Sequence, residues 1–282
     1  MIEQFQHKLT NSFLLWFDHY LLTKGQAFTN ISSSFYKYND ERLNSSLKVY
    51  GSPYKQWVTD SSVAGANIPS GVYINNSFSG RNNGVILDFE NGRALLNTSS
   101  NSLNVSGNFA VKDFNIYYSN ETEEDLIVEN KYMVNSRIPS IAKSYIAPYD
   151  QAVPAIFLSM ASMSNRGFAF GGMEETTVRA NAVILAEDNY QLDGVLSIFS
   201  DSRNEVFNSI PMSGHPFNEY SDLKNSGYSY MDLSNQYNDE RPFYINNATT
   251  SKLTDKARKS LANDLYVGFI DFDIQQHRYR HQ

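Results

Sequence analysis

The 282 residues carry 30 acidic against 23 basic side chains, a net charge of −7, and no cysteine. An acidic surface is repelled by phosphates, which argues against broad nucleic-acid binding. Without cysteine the chain has neither disulfides nor thiolate zinc sites. No stretch reaches the roughly 18 apolar residues of a membrane span, so no membrane association is expected. The N-terminus does not read as a secretion signal, because Asp18, His19 and Lys24 follow Leu14-Leu15-Trp16-Phe17 closely. Thirty Asn, 19 Tyr and 18 Phe with only 8 Pro point to many strands joined by polar turns.

Residues 3–24 read as a helix. Phe5, Leu9, Phe13, Trp16, Phe17, Tyr20 and Leu21 recur at spacings of three and four and share one face. Gly25 is placed to end it in the left-handed conformation. Such an aromatic face either packs on the chain's own core or anchors on a neighbouring subunit, and Phe5, Trp16 and Tyr20 are candidates for the second role.

Residues 26–140 read as a β-rich region. Candidate strands are Ser34–Tyr38, Leu47–Tyr50, Gly71–Ile74, Gly84–Phe89, Arg93–Leu96, Phe109–Tyr118 and Asp125–Tyr132. Val85–Leu96 is a hairpin, with Asn91-Gly92 as the dipeptide a type I′ turn needs. Residues 52–71, with Trp57 among prolines and glycines, form either a packed connection or a loop crossing a subunit boundary. Three prolines between residues 136 and 158 mark a linker, with a domain boundary near Pro139–Pro148.

Val153–Met160 is apolar on both faces and reads as a buried strand. SMSNRGFAFGGMEE follows as a turn or exposed arm carrying Phe168 and Phe170. Thr177–Leu185 is a strand that stops at Glu187-Asp188-Asn189. Asp188 or Asn189 caps a helix, whose apolar stripe runs Leu192, Val195, Leu196, Phe199, Val206 and Phe207. Residues 212–250 are irregular, and Tyr220, Tyr228, Tyr230 and Tyr237 make them a candidate interface loop. Leu265–Ile274 is the last strong strand and the natural partner of Thr177–Leu185. Gly268, Ile270, Phe272 and Ile274 face the core, and Asp271 and Asp273 share the other side. The fold class is therefore α+β and β-rich. A helix (1–25) precedes a β-sandwich-like domain (26–140) and a domain with an antiparallel or mixed sheet and a packed helix (141–282).

Chemistry-bearing patterns are absent. His7 and His19 lie three helical turns apart. His277 and His281 are four apart on a tail after a strand, where an i, i+4 pair does not converge on a metal. Gly-x-Ser-x-Gly, Gly-x-Gly-x-x-Gly and the phosphate-binding loop do not occur. The sequence points to no catalytic residue, cofactor or metal, and the chain reads as non-enzymatic.

Thr177–Phe207 and Leu265–Arg278 resemble the neck and tail-terminator proteins of tailed bacteriophages. The resemblance rests on the strand VRANAVILAED, the turn Asn189-Tyr190-Gln191, the helix LDGVLSIFSDSRNEVF and the closing strand VGFIDFDI. MIEQFQHKLTNSFLLWFDHYLLTKG and SPYKQWV are similar to virion structural proteins of marine, cyanophage-like viruses. The resemblance implies a homo-oligomeric ring of six copies in the virion, assembled in the host cytoplasm. Such a ring joins tail tube or sheath to the connector, with DNA passing through an acidic lumen. The β-rich first half departs from small terminators. The alternative is a β-sandwich binding module, a fibre, collar or capsid-decoration protein, in which Trp57 stacks on carbohydrate or a host surface.

Overall fold

The computed structural model describes residues 2–98, 103–129, 132–135, 146–147, 150–169, 171–238, 241–260 and 265–279. Helix α1 (Phe5–Gly25) buries the expected aromatic face. Phe17 stacks on Phe199 with ring centroids 4.1 Å apart, and Phe13 meets the edge of Phe272 at 5.4 Å. The left-handed residue at its end is Gln26, with φ 47°, and not Gly25. Gly25 answers to a different constraint: a Cβ there would sit 2.7 Å from Ile198 Cδ1, so glycine lets a second helix approach.

Nine strands follow: β1 (Phe28–Ser34), β2 (Tyr36–Tyr38), β3 (Leu47–Gly51), β4 (Gly71–Ile74), β5 (Ser77–Gly80), β6 (Val85–Asp88), β7 (Arg93–Asn97), β8 (Val105–Lys112) and β9 (Asn115–Tyr118). Eight of them form two four-stranded sheets, ordered β1-β8-β4-β5 and β2-β3-β7-β6. Inward residues of both sheets, Val72 and Val111 from one and Tyr50 and Leu87 from the other, belong to one apolar cluster. Trp57 fills it, stacked 4.5 Å from Phe109 and edge-on to Phe89. The sandwich-like first half is thus present.

Three local expectations are corrected. The Val85–Leu96 hairpin exists, but Asp88 pairs with Arg93 across a four-residue loop, and of Asn91 and Gly92 only Gly92 has positive φ. A type I′ turn is replaced because Asp88 accepts hydrogen bonds from the backbone and side-chain amides of Asn91. The run Phe109–Tyr118 divides into β8 and β9. The expected strand at Asp125–Tyr132 begins instead as helix α2 (Glu123–Ile127), because Thr122 and Asp125 cap it reciprocally.

The second half holds β10 (Met133–Val134), β11 (Ala152–Val153), β12 (Ala155–Ala169), β13 (Met173–Ala186), α3 (Asn189–Ser200), β14 (Val206–Phe207), α4 (Tyr230–Gln236), β15 (Phe243–Lys252), α5 (Asp255–Ser260) and β16 (Tyr266–Tyr279). A mixed six-stranded sheet runs β14-β15-β16-β13-β12-β9, with β9 parallel to β12 and every other pair antiparallel. The expected partnership is found, with Thr177 opposite Gln275 and Leu185 opposite Val267. Asp188 caps α3 by accepting from Gln191 N at 2.7 Å. The helix ends at Ser200, so Val206 and Phe207 belong to a strand and not to its stripe. Residues 212–250 are not structureless, since they contain α4 and most of β15.

β9 comes from the first half of the chain yet extends the C-terminal sheet. The main apolar cluster also runs from Leu9 through Trp57 to Ile274. Residues 26–140 and 141–282 therefore share a core. The expected boundary at Pro139–Pro148 lies outside the described residues except for Ile146 and Ala147. A second cluster, including Leu126, Phe157, Leu185 and Val267, covers the opposite face of the six-stranded sheet at its base. Among the described residues no helix is long and apolar enough to cross a membrane.

Candidate functional site

Beyond that base the sheet has one covered face and one bare face. Alternation along β13 sends Val178, Ala180 and Ala182 into the core and Thr177, Arg179 and Asn181 away from it. The register carries the same division across the sheet. Arg179 lies opposite Asp273, and Asn181 opposite Asp271. Thr249 of β15 lies opposite Asp271, and Ser162 and Ser164 of β12 lie opposite Arg179 and Thr177. The bare face is polar on all four strands. Its two arginines are engaged, Arg179 with Asp273 at 3.5 Å and Arg166 with Glu175 at 3.2 Å. These pairs are exposed and contribute little stability. What they do is leave the face without an unpaired arginine. Asp271 is exposed to solvent, which suits a carboxylate on this side of the strand.

The same sheet has two open edges. β9 pairs with β12 only over Ala155–Leu158, so among the described residues β12 has no outer strand partner from Ser159 to Ala169. β14 pairs with β15 only at Phe243 and Tyr244, and a further backbone exchange involves Ile245. From there to Lys252 the outer side of β15 is likewise unpaired by any described strand. Residues 161–168 are exposed throughout. Together β12 and β13 form a hairpin ribbon that ends at Ala169 and Met173, with β16 along its inner side to Tyr279.

The candidate interface residues divide. Trp16, Tyr20, Trp57, Tyr228 and Tyr230 are buried in the chain's own core and offer no surface to a partner. An aromatic stripe has the same spacing whether it meets a core or a neighbour, and here α3 and the sheet claim it. Phe5 is half-buried against Phe243, with the Arg278 guanidinium 4.1 Å from its ring. Tyr220 and Tyr237 are partly exposed. Phe168 is 55% exposed near the ribbon tip, its ring 4.1 Å from His277. Phe170 lies outside the described residues. Sequence reasoning missed the edge residues Ser162, Ser164, Thr249 and Ser251. Their signal was small hydroxyl residues at every second position.

Two constellations invite a chemical reading. His19 Nδ1 lies 2.7 Å from Asp60 Oδ2, and Ser62 Oγ donates to Asp60 Oδ1 at 2.6 Å. A nucleophilic triad places acid and nucleophile on different imidazole nitrogens. Here Ser62 approaches the same Nδ1, at 3.5 Å. Burial pushes the Asp60 carboxyl up, but hydrogen bonds from His19, Ser62 and the Tyr230 amide outweigh it and hold the group below its ordinary range. The cluster ties α1 to residues 60–62 and to α4. A cleft of about 360 Å³ lies between α1 and the Ser221 loop, crossed by the Lys112–Asp18 ion pair at 2.6 Å. His215 borders it, with Nδ1 held 2.7 Å from Asn11 Oδ1. Among the described residues no three His, Asp or Glu side chains converge on a metal position. No protein-family model matches the chain, and no curated protein is recognisably related to it.

Proposed function

We propose that this chain is a non-enzymatic structural protein of a tailed-phage virion. It assembles from copies of itself into a ring, of six by the resemblance, at the neck or head-proximal end of the tail. There it joins tail tube or sheath to the connector. The observation that carries the reading is the C-terminal sheet, which beyond its apolar base is polar on one face and, among the described residues, unpaired along part of each edge. Water wets such a face without apolar cost, so it suits the wall of a filled channel. Its arginines are already engaged by carboxylates, and the chain is acidic, so passing DNA meets little to hold it. The buried first helix and the two-sheet sandwich give that wall a rigid back.

Carbohydrate recognition loses its intended platform, because Trp57 is only 1% exposed. Native mass spectrometry of the purified protein, with composition analysis of purified particles, tests the ring. The expected result is one discrete closed oligomer and the presence of the chain in particles. A lasting monomer that is absent from particles overturns the reading.

A further inference from the structure

We infer that the ring closes by β-pairing between copies, residues 162–167 of β12 in one copy lying antiparallel to residues 247–252 of β15 in the next. This rests on the ring reading and specifies the contact that would make it.

Both runs lack an outer strand partner among the described residues. Both are also regular. The irregularities in the ladders fall between Met160 and Ser162, between Gly167 and Ala169, and between Ile245 and Asn247. The first two bracket residues 162–167, and the third opens residues 247–252, a run of equal length that closes where β15 ends. An edge strand is ordinarily protected by proline, by inward charge or by a bulge within it. These runs contain no proline, Arg166 is engaged by Glu175, and Lys252 is engaged by Asp193.

Direction supports the pairing. Successive strands β12, β13, β16 and β15 alternate, so β12 and β15 run in opposite senses. Copies that repeat around an axis along the strands bring one β15 beside the next β12 in antiparallel orientation, and the sheet continues without a change of pattern. The contact joins two different edges, which makes it heterologous. Such contacts build rings when the rotation closes. The axial stagger it needs is of the kind any closed sheet requires.

Side chains fix the register. Polar-face residues of β12 (Ser162, Ser164, Arg166) must meet polar-face residues of β15 (Ser251, Thr249, Asn247). Pairing Ser162 with Ser251, Ser164 with Thr249 and Arg166 with Asn247 achieves this over nearly the whole of both runs. On the other face Met163, 50% exposed in the single chain, then lies beside Thr250 and next to Ala248. Arg166 and Lys252 fall roughly 17 Å apart along the strand, so like charges do not meet.

The absence of native cysteine makes the test clean. The double variants S162C/S251C, S164C/T249C and R166C/N247C are treated with a short bifunctional thiol crosslinker. Each is expected to give a covalent ladder of oligomers up to ring size, while the six single variants stay monomeric on denaturing gels. The out-of-register pair S162C/N247C is expected to link at least ten-fold less. In a second arm S164K, at an exposed position, is expected to abolish the ring while the circular dichroism of the chain is unchanged. Dimers from single variants, or linkage of the out-of-register pair above the three matched pairs, overturn the inference. Rings by native mass spectrometry without linkage in any matched pair also overturn it, and leave the ring reading standing. Absence of any ring removes both.

Discussion

Replacing Trp16 by alanine separates a core helix from a docking helix. Trp16 is 3% exposed, and its ring lies 5.0 Å from Tyr20, 5.2 Å from Phe207 and 5.7 Å from Phe13. Truncating a buried tryptophan costs about 3–5 kcal/mol, from lost transfer energy and the cavity left behind. Each favourable ring pair adds about 0.5–1.5 kcal/mol, so the upper part of that range is expected. Domain stabilities run at about 5–15 kcal/mol, so the loss is a large fraction of the whole. The folded-to-unfolded ratio should fall by roughly a hundred- to several-thousand-fold. Urea unfolding, followed at a protein concentration too low for assembly, measures it. Trp16→Phe keeps a ring in the cluster and should cost less than half as much. A Trp16→Ala chain that loses under about 1 kcal/mol yet no longer assembles would refute the reasoning and restore α1 as an interface helix.

Two further substitutions probe the fold. A Cβ at Gly92 would lie 1.8 Å from the Tyr54 carbonyl oxygen at a φ of +63°, so Gly92→Ala should cost more than about 3 kcal/mol. Gly84→Ala is the control: φ is +81° but the space is open, and thermal unfolding should show a loss nearer 1–2 kcal/mol. Burial pushes the Lys55 ammonium down to about 8 from 10.5, against the charges of Asp150 and Glu90. Between those two values the unfolded chain holds a proton that the folded chain does not, so folding stability rises with pH there. Relative to Lys55→Met, the wild-type chain should gain about 3 kcal/mol as pH climbs from 8 to 10.5, and denaturant midpoints at several pH values check it. A constant difference would mean that the folded ammonium is not destabilised by burial.

Legibility followed apolar periodicity. The first helix, β3, β4, β7 and the pairing of β13 with β16 were readable because each has a run with one clear period and a clear stop. Failures came where local polar chemistry decided. Thr122 and Asp125 turn a strand-like stretch into a capped helix. Asp88 reshapes the turn at Asn91. β15 was invisible because FYINNATTSK has large apolar residues only at Phe243, Tyr244 and Ile245, and much of its length faces solvent. The candidate site failed in the same direction. Aromatic content drew attention to Trp16, Trp57 and Tyr230, which the core consumes. An edge made of serine and threonine leaves only an alternation of small hydroxyl residues, because its binding groups are backbone amides that every residue carries.

That edge poses an energetic problem within the single chain, and the problem gives a last prediction. Ordering a residue in a strand costs about 1–2 kcal/mol of backbone entropy. Along residues 161–168 β12 buries no large side chain to offset this and is held from one side only, by β13. Its outward side meets no strand among the described residues, so local opening should take little free energy. Pairing with a second chain would satisfy the outward amides and cover Met163 together. Hydrogen exchange should therefore be fast at about half the amides of residues 162–167 in the monomer, and slow at least ten-fold in the ring. The amides of residues 178–184 in β13, flanked by strands on both sides, should change little. Equal protection of residues 162–167 in monomer and ring would mean that the edge is not where the copies meet. The assembly would then have to be sought on the sandwich, where Tyr73 and Phe78 stand exposed.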